Sequence, residues 1–224
     1  MEKPTKAAPQ RWLSLLEFAI GALIVIGHNV FHVLPNEVPI LFLLGIVSIR
    51  LREGSWRVIG LSRPESWGRT MLIAFLTAVI VILMGLLVIS PLVHILGLHY
   101  GKSAGTSLGL RKGDILSVLK ALGITWTLAA FGEEIAYRRY LLGRAAEAAG
   151  GSNLAHWLAL ICVSVLFGFG HYYQGSAGVF RTACDGFVIG AAYLLSRRNL
   201  WVAVLAHGFI DSIVFIALFT GLAD

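Results

Sequence analysis

Residues 71–89 form a continuous apolar segment without a single charge. Of these 19 residues, only Thr77 and Gly85 are not strongly apolar. A helix of about 20 such residues spans the ~30 Å hydrocarbon core of a bilayer. One buried helix of a soluble protein could have this composition, but several comparable segments in one short chain could not. We therefore predict a membrane-spanning helix here.

The composition of the whole chain points to lipid as its surroundings. Of 224 residues, 57% are apolar and only 13% are charged, whereas a soluble domain of this size needs more surface charge. The net charge of +6 comes from short basic clusters without a nucleic-acid motif, so no nucleic-acid partner is expected. Cys162 and Cys184 lie inside apolar segments and predict neither a disulfide framework nor a reactive thiolate.

Apolar segments recur along the chain and predict an all-α, polytopic transmembrane helical bundle of about seven spans. Helices are expected because they satisfy their own backbone hydrogen bonds where water is absent. The second span is short and contains Pro39, so we expect it to be tilted or re-entrant. The expected spans are residues 12–34, 38–50, 70–97, 117–146, 154–172, 177–195 and 200–221. The expected division is a cytoplasmic tail of residues 1–11, membrane helices and loops of residues 12–116, and a helical core of residues 117–222.

The basic residues divide unequally between the two sides of this topology. Thirteen Lys and Arg residues fall in the N-terminal tail and in the segments on its side, and five fall on the other side. Cytoplasmic loops of membrane proteins are enriched in Lys and Arg. We therefore predict a multi-pass protein of a prokaryotic cell membrane, with a cytoplasmic N-terminus and the C-terminus outside.

Ionisable residues inside membrane helices are costly, which makes them candidates for function. Glu134 and Arg138 are four residues apart, share one face of a helix and can form an ion pair. Glu133 points about 100° away from that face and lacks this partner, which suits a group that accepts and donates a proton. The structural alternative is that both glutamates are ion-pair members, although one arginine does not need two carboxylates.

A turn at residues 150–153 sets the depth of two candidate groups. Glu133 lies 18 residues before Gly151, and His171 lies 20 residues after it. In an antiparallel helix pair with a rise of ~1.5 Å per residue, the two side chains reach nearly the same depth. We therefore expect them to meet, although a lone histidine at a helix end is more often interfacial.

His207 and Asp211 are four residues apart on the last helix and lie on one face. His207 is ~15 Å along that helix from the basic turn at Arg197 and Arg198. We expect this pair to share a pocket with the previous two groups, in the cytoplasmic half of the membrane. A purely structural His–Asp hydrogen bond is the alternative.

Three motifs on successive apolar segments together resemble one known family. They are Glu133-Glu134-x-x-x-Arg138, Phe167-x-x-x-His171 and His207-x-x-x-Asp211. This combination resembles the CPBP family of membrane-embedded endopeptidases, which includes the type 2 CAAX prenyl proteases and bacteriocin-processing or immunity proteins. The resemblance covers about residues 117–221. It implies an intramembrane endopeptidase that cleaves membrane-presented peptides, with or without a prenyl group.

The resemblance also implies roles for the site residues. Glu133 and His171 would activate a water molecule. His207 and Asp211 would stabilise the oxyanion of the tetrahedral intermediate, supported by the second glutamate and the arginine of the first motif. The prenyl proteases have Asn at the position of Asp211, and an ionised Asp cannot donate to an oxyanion. Asp211 would instead be protonated, orient His207 or ligate a metal.

A metal-free site is the expectation, with zinc as the alternative. The four groups Glu133, His171, His207 and Asp211 would form a nitrogen and oxygen ligand set for Zn²⁺, but the H-E-x-x-H motif is absent. Two other functions stay open. One is a proton-coupled transporter, since proton relays also use buried ionisable groups, and the other is a non-catalytic immunity protein. The expected partners are the lipid bilayer and a peptide substrate.

Overall fold

The structure, a computed structural model, describes residues 8–54 and 59–222. Within these residues the regular secondary structure is entirely helical, which confirms the predicted all-α fold. The helices are α1 (Ala8–Asn29), α2 (Glu37–Glu53), α3 (Trp67–Ile95), α4 (Ala104–Ser107), α5 (Ile115–Ala148), α6 (Asn153–Phe169), α7 (Gly175–Leu195) and α8 (Leu200–Thr220).

Five of these helices, α1, α3, α5, α7 and α8, are long and apolar enough to cross a membrane. Helices α2 and α6 have 17 residues each, which gives ~25 Å of helix, at the short end of what spans a bilayer. The polytopic helical bundle is thus confirmed, with five full-length spans where seven were expected. In α2, the last turn is charged and contains Arg50, Arg52 and Glu53.

The turn between α5 and α6 lies where the sequence predicts it. Gly150 and Gly151 have φ angles of 99° and 74°, which glycine adopts without steric cost. Ser152 then caps α6, because its hydroxyl accepts a hydrogen bond from the backbone N–H of Ala155 at 3.1 Å. The chain therefore reverses direction between α5 and α6.

The middle of α5, Thr125–Leu141, is π-helical, with backbone hydrogen bonds five residues apart. This widened segment contains the whole Glu133–Arg138 motif. Such segments are rare in proteins and are frequent at functional sites.

Small residues bring α6 and α7 into close contact. A Cβ atom on Gly168 would lie 2.5 Å from the carbonyl oxygen of Val179 and 2.9 Å from the Cβ atom of Ala183. Further along α7, the side chain of Leu160 fills the space that a Cβ atom on Gly190 would need. This packing positions the end of α6, where His171 follows.

One end of the bundle, called the arginine-rich end, comprises the start of α1, the end of α2, the start of α3 and the α5–α6 and α7–α8 turns.

A largely buried ion network joins three of the helices at this end. The side chain of Arg144 is 1% exposed and lies 2.8 Å from Glu17 and 3.1 Å from Glu147. Glu53 lies 3.4 Å from the same guanidinium. Arg52 adds a second contact to Glu17, at 2.8 Å, so α1, α2 and α5 are tied together here.

The opposite end of the bundle comprises the α1–α2 connection, the long loop between α3 and α5, the 3₁₀ turn Tyr172–Gln174 and the end of α8. The backbone N–H of Gly101 donates to the carbonyl oxygen of Gln174 at 2.6 Å. The N–H of Gly113 donates to the carbonyl oxygen of Phe219 at 3.2 Å. The long loop is thus held against the ends of α6 and α8.

Arg144→Met is expected to destabilise the bundle, because it leaves several poorly exposed carboxylates without their shared cation. Removing one partner of a buried ion pair costs about 3–5 kcal/mol, or roughly 6–20 °C in melting temperature for a chain of this size. Thermal unfolding in detergent micelles measures the change. Arg197→Met is the control, since Arg197 is 85% exposed and its ion pair should contribute little. Equal losses in the two variants would contradict the role of the network.

Candidate active site

A buried carboxylate joins α5 to α8. Glu134 is fully buried, and its Oε2 lies 3.0 Å from Nε of Arg138, as the four-residue spacing predicts. Its Oε1 lies 2.8 Å from Nδ1 of His207, and a carboxylate only accepts, so Nδ1 donates. Arg138 also donates to the carbonyl oxygen of Gly186 on α7, at 3.2 Å. Three helices therefore meet around one carboxylate.

His207 has a second carboxylate at its other ring nitrogen. Its Nε2 lies 3.5 Å from Oδ2 of Asp211, one turn later on α8. The expected His207–Asp211 pair is present, but it is the longer of the two contacts. Nδ1 of His207 already donates to Glu134. One proton between Nε2 of His207 and Oδ2 of Asp211 therefore satisfies both of these atoms, and either His207 or Asp211 can carry it.

Phe167 contacts both histidines of the predicted site. Its ring centroid is 4.8 Å from that of His171 and 6.1 Å from that of His207. The guanidinium carbon of Arg138 lies 4.6 Å from the same centroid. The Nδ1 atom of His171 lies 3.0 Å from the carbonyl oxygen of Phe167, which can only accept, so Nδ1 carries a hydrogen. In the neutral ring, Nε2 is then free to accept a hydrogen bond from water.

Glu133 lies next to this cluster without joining its hydrogen bonds. Its Oε2 is buried and has no hydrogen-bond partner among residues 8–54 and 59–222. The charged groups that act on it electrostatically include His207 and Asp211. His207 also acts electrostatically on His171. Glu133 and His171, which the sequence predicts to meet, therefore have His207 as a common electrostatic neighbour. Between Glu133 and His171 themselves, the described residues show no direct hydrogen bond.

Sequence reasoning missed two further residues at this site, Glu37 and Tyr137. Glu37 is 5% exposed at the start of α2 and acts electrostatically on both Glu133 and Tyr137. A Cβ atom on Gly170 would lie 2.8 Å from the Tyr137 hydroxyl, so only glycine leaves room there. Because Glu37 directly precedes an expected span, its place in the sequence is that of an ordinary loop carboxylate.

His28, in the last turn of α1, has a carboxylate partner at the start of α2. Its Nε2 lies 3.3 Å from Oε2 of Glu37. The sequence could not show this contact, because it depends on how the connection after α1 folds back to start α2.

The expectation that these groups share a pocket in the cytoplasmic half of the membrane stays a prediction. Glu134 is fully buried, the Asp211 side chain is 28% exposed, and Tyr172, at the opposite end, is 46% exposed. His171 follows the last residue of α6 and directly precedes the turn of the opposite end.

The described residues do not fit the zinc alternative. Among them, no three His, Cys, Asp or Glu side chains are arranged to hold a metal ion. Nδ1 of His207 donates to Glu134 and Nδ1 of His171 to a carbonyl oxygen, contacts that metal-binding histidines also make. The metal-free site therefore stays a prediction.

Glu134→Gln is expected to destabilise the protein, because it removes the carboxylate charge that lies 3.0 Å from Arg138 in a buried position. Leaving a buried charge unpaired costs about 3–5 kcal/mol. Asp211→Asn is the matched control, since Asp211 is partly exposed and its contact with His207 is long, and it should change stability much less. Melting temperatures in detergent compare the two. A larger effect of Asp211→Asn would contradict the central position of Glu134.

Comparison with known proteins places these motifs in one domain. The family model described as "Type II CAAX prenyl endopeptidase Rce1-like" matches residues 115–213, from the start of α5 into α8. All the motif residues from Glu133 to Asp211 lie inside this match. Comparisons with curated proteins and with solved structures gave no significant match. Residues 115–213 of this integral membrane protein are therefore similar to the Rce1-like family of type II CAAX prenyl endopeptidases.

Proposed function

We propose that the protein is an intramembrane endopeptidase in which Glu133 and His171 activate a water molecule for attack on a peptide bond. One observation carries the proposal: a buried carboxylate oxygen of Glu133 lacks a hydrogen-bond partner among the described residues, beside an imidazole that faces two carboxylates. The family match supports the reaction class, a CAAX-type intramembrane protease.

The first step is the activation of water. A water molecule donates one hydrogen bond to Oε2 of Glu133 and the other to Nε2 of His171. Glu133 accepts a proton from it as general base, and the water oxygen forms a bond to the carbonyl carbon of the substrate. The electron pair of the carbonyl π bond moves to the oxygen, which becomes an oxyanion.

The second requirement is a donor for this oxyanion, and His207 supplies it. Nδ1 of His207 is held by Glu134, so Nε2 points in a fixed direction and needs no reorganisation as charge develops. Asp211 lies beside Nε2 and orients the ring. Asp211 can therefore fill the position of the family's Asn without donating to the oxyanion itself.

The last step releases the products. Glu133 returns its proton to the amide nitrogen, the C–N bond breaks with its electron pair on nitrogen, and the oxyanion collapses to a carbonyl. The products are a new C-terminal carboxyl group and a free amine. Glu133 is a carboxylate again at the end of the cycle.

The substrates proposed first are C-terminal CAAX-type peptides, because the family description names that class. Among the described residues, the site itself shows no feature that selects a prenyl chain. The same peptide with and without its prenyl group is therefore the informative pair of substrates.

The arrangement favours a protease over a proton-coupled transporter. A transport pathway must connect both sides of the membrane. Between the site and the arginine-rich end, however, the bundle is filled by fully buried apolar side chains, among them Leu141, Ala203 and Ala206. A site closed toward the arginine-rich end by packed side chains suits hydrolysis better than transport.

Glu133→Gln and His171→Gln are each expected to lower the rate of peptide cleavage by the purified protein by about 100-fold or more, the usual contribution of a positioned general base. Mass spectrometry of prenylated and unprenylated peptides measures the cleavage. The controls are Glu65→Gln and His94→Gln, which alter exposed residues far from the site. Full activity in either site variant would remove that residue from the mechanism. Cellular function that survives Glu133→Gln would favour a non-catalytic immunity protein.

Chelators are expected to leave cleavage unchanged, because the proposed water activation uses only side chains. The test compares the activity of the detergent-purified protein before and after incubation with EDTA and with 1,10-phenanthroline. A loss of activity that Zn²⁺ restores would contradict the metal-free chemistry.

A further inference from the structure

We propose that a basic cavity at the arginine-rich end binds the phosphate headgroup of an anionic phospholipid. The cavity lies between the segment that leads into α3 and the α7–α8 turn, and its volume is about 260 Å³. The described side chains that line it do not include Glu133, His171 or His207. The proposal therefore does not depend on the proteolytic activity proposed above.

The lining of the cavity has an excess of positive charge. It contains four arginines and one carboxylate, which are Arg63, Arg69, Arg197, Arg198 and Glu65. Glu65 lies 3.7 Å from Arg197, and both side chains are largely exposed. Within residues 8–54 and 59–222, the other three arginines form no ion pair. Because a guanidinium presents paired N–H donors that match the oxygens of a phosphate, this lining favours an anionic ligand.

The α7–α8 turn places two of these arginines next to each other at the cavity. Arg197 and Arg198 have φ angles of 59° and 60°, a left-handed conformation that is uncommon for residues other than glycine. The N–H of Arg198 donates to the carbonyl oxygen of Tyr193 at 2.8 Å. The side chain of Asn199 donates to Oγ1 of Thr70 at 3.0 Å. The turn is thus attached to both α7 and α3, which fixes the backbone that carries the two arginines.

Two helices begin at the cavity and add partial positive charge to it. Ser66 and Asn199, which cap the N-termini of α3 and α8, both line the cavity. The N-terminus of a helix carries roughly half a positive charge and stabilises a nearby anion. The helix ends and the arginines therefore attract a phosphate together.

The surroundings of the cavity favour a phospholipid over a free phosphate ion. Trp67 and Trp201 form a ring pair at the start of α3 and α8, with centroids 5.5 Å apart, and tryptophan is enriched at the level of lipid headgroups. Further along α3, Leu72 and Phe75 are exposed apolar side chains, and the exposed Leu195 lines the cavity itself. Acyl chains can lie along these side chains while the headgroup occupies the cavity. Basic pockets between transmembrane helices bind anionic headgroups in this way.

The test titrates the full-length protein in detergent with phosphatidylglycerol and with phosphatidylcholine of the same acyl chains, and native mass spectrometry measures the bound lipid. We expect the wild-type protein to bind phosphatidylglycerol at least tenfold more tightly than phosphatidylcholine. The cavity variant Arg69→Gln/Arg198→Gln is expected to bind phosphatidylglycerol about 25-fold more weakly, because each arginine near an anionic headgroup contributes roughly fivefold. The control variant Arg11→Gln/Lys102→Gln removes the same charge from exposed residues outside the cavity and should bind like the wild type.

Equal binding of the two lipids by the wild-type protein, or equal binding of phosphatidylglycerol by the two double variants, would overturn the proposal. Inorganic phosphate distinguishes the two sources of the anion. We expect phosphate at the concentration of the lipid to leave phosphatidylglycerol binding unchanged, and displacement of the lipid would overturn its assignment as the ligand. Because a ligand that binds the folded state stabilises it, phosphatidylglycerol should also raise the melting temperature of the wild type more than that of the cavity variant.

Discussion

The carboxylate of Glu134 organises this protein's centre. It is fully buried, and it holds Arg138 with one oxygen and His207 with the other. A charge in the membrane interior is costly unless it is paired, so these three side chains must stay together, and α5 and α8 must stay in register. Arg138 extends the arrangement to α7 through the carbonyl oxygen of Gly186.

The contacts of Glu134 also determine which hydrogen bonds Glu133 and His207 can make. Since Glu134 already neutralises the arginine, the adjacent Glu133 remains as a carboxyl group with a buried, unbonded oxygen within the part of the chain that the structure describes. His207 is fixed at Nδ1 and can use only Nε2 for other partners. Glu134 thus has a structural role, and the adjacent Glu133 is the group proposed for proton transfer. Both lie in the π-helical segment Thr125–Leu141.

The sequence predicted the fold class, the α5–α6 turn and the pairing of Glu134 with Arg138, because these depend on local composition and helical periodicity. It did not predict the Glu134–His207 contact or the position of Glu37, which join helices distant in the chain. That Glu133 and His171 meet at one depth in the cytoplasmic half stays a prediction, because a residue count from a turn gives a distance along a helix and not the tilt of that helix in the membrane.

The central claim is that peptide binds where α5, α6 and α8 converge. Photo-crosslinking tests it directly, with a peptide that carries a photoreactive group beside its scissile bond and the Glu133→Gln variant to prevent turnover. Mass spectrometry of the adducts is predicted to place them near Glu133, His171 and His207, with competition by unmodified peptide. Adducts confined to the arginine-rich end, or to lipid-facing side chains such as Leu87, which is 70% exposed, would contradict the account.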